Sequence, residues 1–180
     1  VISATGIVPS TPEIEGIGHQ KVLGYLDVLK RGAPVGDKVA IIGAGGIGFD
    51  LCEYLVDGEE DTSQDIQKFM AKWGIDTTME ARAGVEGIRP SITPSQREVY
   101  LLQRKPSKIG QDLGKSTGWI HRTELKQKGV KMISGCDYQR IDDEGLHLSV
   151  NGEETLLNVD NLIICAGQEP LRELVDGLDK

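Results

Sequence analysis

Six residues, Gly43-Ala44-Gly45-Gly46-Ile47-Gly48, constrain this chain more than any other stretch because of what stands on either side of them. Before them, Val39-Ala40-Ile41-Ile42 is an unbroken apolar, mostly β-branched run of the kind found in a strand covered on both faces. After them, Phe49, Leu51, Cys52, Tyr54, Leu55 and Val56 continue as a mostly apolar helix. A lone GxGxxG is weak, but strand, turn and helix in this order give each glycine its own task. Gly43 makes the tight turn, Gly45 leaves room for a pyrophosphate against the backbone, and Gly48 lets the helix pack closely on the strand. The helix aims its free N–H groups and positive dipole end at the phosphates, so Gly43 to Gly48 can hold an anion without a lysine. The competing reading is a tight turn with no ligand; the flanking elements favour a dinucleotide site.

Which dinucleotide is decided at the end of the second strand, where an NAD or FAD site usually places Asp or Glu on the ribose 2′-hydroxyl, about 20 residues after the turn. The next run of suitable character is later, Glu98-Val99-Tyr100-Leu101-Leu102-Gln103. Residues 57–97 therefore read as an insertion: an acidic stretch (Asp57, Glu59, Glu60, Asp61), a helix expected from Ser63 to Trp73, and a loop with Gly84, Gly87, Pro90 and Pro94. The strand exit is Gln103-Arg104-Lys105. A carboxylate there would repel a 2′-phosphate; a neutral Gln does not, and Arg and Lys supply charge-assisted donors. With Lys108 and Lys115 close in sequence, this is the most basic part of the chain, and NADP(H) is the expected ligand. Read without the turn, Arg104 and Lys105 would be an ordinary solvated strand end.

The rest of the chain supports an α/β reading. Residues 1–4 look like the end of a buried strand, 5–17 like linker, and His19 to Arg31 like a short amphipathic helix carrying Val22, Leu23, Leu26, Val28 and Leu29. A helix is expected from Lys115 to Lys128 with Gly129 just past its end, and a third strand over Val130 to Ile133. Three alternating segments follow, Tyr138 to Asp142, Gly145 to Val150 and Glu154 to Val159; Asn151-Gly152 between the last two is a hairpin signal. Asn161 to Ala166 is the last core strand, and 168–180 is expected to be loop and a short helix. The predicted fold is thus a Rossmann-like FAD/NAD(P)-binding domain of ββα three-layer type, with a parallel sheet and a β-meander.

A chain of 180 residues, 38% apolar, suits one domain. Its net charge of −8 argues against a nucleic-acid groove or an anionic membrane surface as partner, since both need a basic face. The longest charge-free apolar stretch, Val39 to Phe49, is too short to span a bilayer. Cys52, Cys136 and Cys165 are far apart with no CxxC pair, as in a cytoplasmic protein with buried thiols. His19 and His147 lack ligand spacing, so no metal site is expected, and no catalytic residue stands out. His121 is read as structural, with an approach to the nicotinamide or to an FAD domain as the alternative, and Trp119 as packing or an interdomain contact.

Two strands exit on small residues: Ala4-Thr5-Gly6 after the opening run, and Cys165-Ala166-Gly167 after the last. Such exits let backbone approach a cofactor or a second domain. Ala166 and Gly167 are therefore added to the nucleotide site, and Ala4, Thr5 and Gly6 are assigned to an FAD side. The opening VISATG, with no initiator Met, reads as mid-protein.

VISATG, VAIIGAGGIGFD, LLQRK, GKSTGWIHR, GVKMI and NLIICAGQEP together resemble the NADPH-binding domain of the bacterial 2,4-dienoyl-CoA reductases, flavoproteins of the old-yellow-enzyme-like, trimethylamine-dehydrogenase-like group. The resemblance covers nearly the whole chain, and GKSTGWIHR is its most specific block. It implies a longer polypeptide with an FMN-bearing barrel, a 4Fe-4S cluster and an FAD domain into which this domain is inserted. It further implies electron flow from NADPH through FAD, cluster and FMN to a dienoyl-CoA in β-oxidation of unsaturated fatty acids. On that basis residues 1–34 are linker and FAD-domain remnant, 35–167 the NADP(H) domain, and 168–180 the return segment. Another enoate-reducing flavoprotein, or a non-enzymatic NADP-sensing module, remains open at this point.

Overall fold

Alternate residues of Val39-Ala40-Ile41-Ile42 bury on opposite sides, and this divides the molecule into three layers. Val39 and Ile41 join an apolar cluster with Phe49, Leu51 and Leu55, while Ala40 and Ile42 join a second one with Leu146, Leu148 and Leu162. The computed structural model describes residue 2, residues 4–57, residue 62 and residues 64–174. In chain order the elements are β1 (Ile7–Pro9), β2 (Val22–Gly24), α1 (Tyr25–Leu29), β3 (Lys38–Ile42), α2 (Gly46–Val56), α3 (Ile66–Trp73) and β4 (Glu98–Gln103). They continue with α4 (Gly118–Gln127), β5 (Lys131–Ser134), β6 (Cys136–Asp142), β7 (Gly145–Val150), β8 (Glu153–Leu157), β9 (Asn161–Ile164) and β10 (Gln168–Pro170).

The central sheet has the order β2-β9-β3-β4-β5, and every neighbouring pair is parallel. Helices α1, α2 and α4 cover one face through Tyr25, Val28, Phe49, Leu55 and Leu125. The antiparallel meander β6-β7-β8 covers the other. Asn151 and Gly152 both take positive φ (53° and 90°), as the tight β7–β8 turn requires. The fold is the predicted α/β domain with a parallel sheet and a meander.

Five local expectations are corrected. The helix expected over His19 to Arg31 is instead the strand β2 followed by the single turn α1. Val22 and Leu23 pair with Leu162 and Ile163, and a strand buried on both faces shows adjacent apolar residues that mimic helical spacing. Gly24 ends the strand, its N–H donating to the Asp27 carboxylate at 2.8 Å. Of the buried strand expected at 1–4, Val1 and Ser3 lie outside the described residues; Ile2 and Ala4 are exposed and in no strand. The linker of 5–17 contains β1, and the tail expected as loop and helix contains β10, with which β1 pairs antiparallel. Two three-residue strands far apart in sequence have no local pattern to reveal them. Residues 175–180 lie outside the described residues. The helix expected from Lys115 starts at Gly118.

The segment between α2 and β4 is tied down by polar contacts. The Lys72 ammonium pairs with Glu124 on α4, both side chains mostly buried. Beyond α3, the Asp76 carboxylate accepts from the N–H groups of Ala81, Thr78 and Glu80 and from the Thr78 hydroxyl. These bonds, the Ala81 N–H foremost, hold the Asp76 carboxyl down to about 2. A depressed folded value means that its contribution is present above about pH 4, the unfolded carboxyl value, and is lost as pH falls through about 2. Carbon-detected NMR titration is therefore expected to give an Asp76 midpoint near 2; a midpoint near 4 would show that the turn does not form as described.

Candidate functional site

The carboxyl ends of β3, β4 and β9 meet where the connections diverge, from β3 through α2 to β4 on one side and toward β9 on the other. In parallel sheets such a point opens a crevice for ligand. Gly43 leaves β3 with φ 115°, its N–H donating to Leu102 O at 3.0 Å. A Cβ on Gly43 would stand 2.6 Å from Cys165 O and 2.9 Å from Ala166 N, so the turn lies directly against the exit of β9. A Cβ on Gly48 would stand 1.9 Å from Gly43 O. The chain's own packing thus accounts for both of these glycines.

Gly45 and Gly46 differ. A Cβ on either would meet nothing within 4 Å, and neither has positive φ. Gly45 is the N-cap of α2, and no side chain caps the first turn, which leaves its N–H groups available to an anion. Ala44 and Ile47 pack partly against the helix-side core and fix the loop beneath this open face. The residues fit a dinucleotide phosphate: a backbone cradle at a helix N-terminus, with a gap that side chains would fill.

Beside this turn, β4 ends at Gln103, one residue past the Ile42↔Leu102 pair. The Gln103 amide nitrogen donates to Lys105 O (3.0 Å), Ser107 O (2.9 Å) and Ser107 Oγ (3.2 Å). Arg104 is exposed and makes no hydrogen bond or ion pair among the described residues. Lys105 is also exposed, with its ammonium 3.7 Å from the Asp112 carboxylate. Burial and the neighbouring Cys136 thiol push the Tyr138 phenol up, and the Arg104 guanidinium pulls the other way. The structure therefore brings Gly43 to Gly48, Gln103 to Lys105 and Ala166 to one edge. Gly167, with φ 89°, starts the way out, its carbonyl accepting from Ser10 N–H at 3.1 Å. Ala4, Thr5 and Gly6 are not at this edge. They stand at the outer end of the β1–β10 ribbon, where the Thr5 hydroxyl donates to Leu171 O and Leu171 N–H to Gly6 O.

The GKSTGWIHR block is tied to α2 and to the loop before α4. Arg122 donates to Gly110 O at 2.7 Å, His121 Nδ1 lies 2.6 Å from the Glu53 carboxylate on α2, and the Trp119 indole N–H donates to Ser116 O. Gly110 in turn sits over Phe49. Ser107 also stands at this edge and is not singled out by the sequence. Its only signal is its place after Lys105-Pro106, and nothing in the sequence shows that the Gln103 amide reaches it.

Two other features stand away from this edge. A hollow of about 1160 Å³ lies where Val35, Leu55, Asp57, Arg97 and Lys128 gather around the beginnings of β3 and β4. The β6–β7 turn brings ligand atoms of Asp142, Glu144 and His147 within 4.8 Å of one another, a grouping not expected from sequence, near where Lys21 bonds Asp143 O. Cys52 and Cys136 are buried, Cys165 is half-buried, and all three are free. Burial pushes the Cys165 thiol up to about 12 and the Cys52 thiol higher, so neither supplies a thiolate near neutrality. No helix among the described residues is long and apolar enough to cross a membrane.

Comparison with known proteins bears on the fold and the family. The family described as pyridine nucleotide-disulphide oxidoreductase matches residues 1–179. A metal reductase of Desulforamulus reducens is 26% identical over 178 residues, 99% of this chain and 25% of that protein. A mercuric reductase of Staphylococcus aureus is 23% identical over 177 residues, 96% of this chain and 25% of that protein. The chain thus spans about a quarter of the length of the curated relatives it matches. Among solved structures, 2-naphthoyl-CoA reductase superposes with TM-score 0.68 at 23% identity, covering 97% of this chain and 21% of that one. An engineered water-forming NADPH oxidase bound to NADPH gives 0.56 at 16% identity, covering 96% and 31%. These structural likenesses carry the fold. With a family match over nearly its full length, the chain belongs to the pyridine nucleotide-disulphide oxidoreductases, a family of oxidoreductases that bind pyridine nucleotide and flavin.

Proposed function

We propose that this chain is the NADP(H)-binding, hydride-input domain of a larger flavin-dependent reductase of 2,4-dienoyl-CoA thioesters. The observation that carries the nucleotide part is the pairing, at one edge, of the open face over Gly45 and Gly46 with a strand exit, Gln103-Arg104-Lys105, that has two exposed cations and no acidic residue of its own. The first turn of α2 binds the pyrophosphate, Arg104 and Lys105 bind the 2′-phosphate, and Ala166-Gly167 borders the rest of the cofactor. When bound, NADPH supplies a hydride; this chain binds and orients it.

The domain reading takes residues 35–167 as the nucleotide unit, with 57–97 inserted and β2 and α1 along its edge. The side-by-side course of β1 and β10 supports it, because a domain inserted into another enters and leaves by adjacent strands. Ala4, Thr5 and Gly6 then face an FAD domain, with FMN and a 4Fe-4S cluster elsewhere in the polypeptide. The cluster, FMN and the dienoyl-CoA substrate rest on the GKSTGWIHR resemblance. The test joins this chain to its flavin-bearing partner domains and follows NADPH oxidation through the near-ultraviolet absorbance of the reduced nicotinamide. Oxidation that requires a 2,4-dienoyl-CoA is expected; turnover with a different enoate or a metal ion, and none with the dienoyl-CoA, would remove the substrate assignment.

A further inference from the structure

We infer that Ser107 is a third donor to the 2′-phosphate and that Gln103 is a positioning residue that sets it there. This rests on the NADP(H) reading above and adds to it two roles that neither strand position nor charge reveals. An amide nitrogen carries two hydrogens, and here three acceptors lie in reach of it: Lys105 O, Ser107 O and, at the longest distance of the three, Ser107 Oγ at 3.2 Å. The two carbonyls fix which way round the amide lies, since its oxygen in that position would face two other oxygens. On the far side, Gly135 N–H also donates to Lys105 O, at 3.1 Å. The exit from β4 is thereby held from within by Gln103 and from outside by Gly135, and the exposed Arg104 and Lys105 are carried on a fixed backbone.

The bond to Ser107 Oγ has a chemical consequence. A hydroxyl offers one hydrogen and two lone pairs, and an N–H from Gln103 occupies a lone pair. Ser107 donates to no acceptor among the described residues, so its hydrogen is available to a ligand. The strand exit then offers a guanidinium, an ammonium that the Asp112 carboxylate faces at 3.7 Å, and a hydroxyl hydrogen, donors suited to a phosphate dianion. Glutamate at position 103 is incompatible with this loop. It would set a carboxylate against Lys105 O and Ser107 O, where the amide now donates, and so dismantle the exit while adding the group that repels the phosphate. Gln103 thus favours the 2′-phosphate by shaping the loop rather than by touching the ribose.

The test measures binding to this chain of four nucleotides, NADPH, NADH, 2′,5′-ADP and ADP, by calorimetry. Ser107→Ala is expected to weaken NADPH and 2′,5′-ADP about tenfold, with NADH and ADP unchanged, while Ser107→Thr keeps the affinity. Gln103→Leu should weaken the phosphorylated pair about tenfold, and Gln103→Glu on the order of a hundredfold, again sparing NADH. A loop that is merely loosened would lose all four nucleotides together, and that outcome overturns the inference. So does unchanged 2′,5′-ADP binding by Ser107→Ala when the wild type binds well. A wild-type chain that binds neither NADPH nor 2′,5′-ADP removes the NADP(H) reading itself, and this inference with it.

Discussion

Gly48→Ala is expected to lower the unfolding free energy of this domain by about 3 kcal/mol, whereas Gly45→Ala costs under about 1 kcal/mol and weakens NADPH binding about tenfold or more instead. The two glycines stand three residues apart in one motif and differ only in what surrounds them. A Cβ added at Gly48 would lie 1.9 Å from the Gly43 carbonyl oxygen, a backbone atom held between β4 and the exit of β9. Relief requires α2 to lift from β3, and Leu51, Cys52 and Leu55 leave the core with it. At Gly45 the added methyl meets no protein atom within 4 Å. Its cost is the small preference of a helix N-cap for Gly over Ala. It does occupy the gap in which a pyrophosphate would approach the backbone, and a loss of about 1.4 to 3 kcal/mol in NADPH binding is expected, tenfold or more. Urea unfolding and NADPH titration of the two variants separate the effects. Equal destabilisation by both would mean that the open face over Gly45 belongs to packing and not to a ligand.

Arg104→Ala is expected to weaken NADPH by about 1.5 to 3 kcal/mol, the usual worth of a hydrogen bond to a charged group, and to leave NADH nearly unchanged. Arg104 is exposed and unpaired among the described residues, so its removal has little effect on folding. Lys105→Ala should do less. Its ammonium already stands near Asp112, and a flexible ammonium lacks the bidentate fork of a guanidinium. Parallel losses for both cofactors in Arg104→Ala would place the residue on a shared part of the dinucleotide and withdraw the NADP(H) assignment.

Much of this is legible in the sequence wherever a signal is local. Val39 to Ile42 reads as a strand because both its faces are buried, the glycines read as a turn because of their spacing, and Asn151-Gly152 reads as a hairpin because both residues must take positive φ. Arg104 and Lys105 stand out by position alone. What is not legible depends on distant partners. Val22 and Leu23 form a strand only because β9, near the other end of the chain, lies beside them. The β1–β10 ribbon likewise pairs two segments from opposite ends of the sequence. At the site itself, Gln103 reads in sequence as a cofactor contact chosen for its neutrality, whereas its amide nitrogen is bonded within its own loop. His121, read from sequence as structural, has its Nδ1 2.6 Å from the Glu53 carboxylate on α2, a partner that nothing in the sequence indicates.

The most direct test of the central claim is a calorimetric titration of the unmodified chain with NADPH and with NADH under identical salt. Saturable one-to-one binding of NADPH is expected, at least about tenfold tighter than NADH, the minimum that one charged donor to the 2′-phosphate should provide. No binding of NADPH at millimolar concentration, or equal affinity for the two nucleotides, would contradict it.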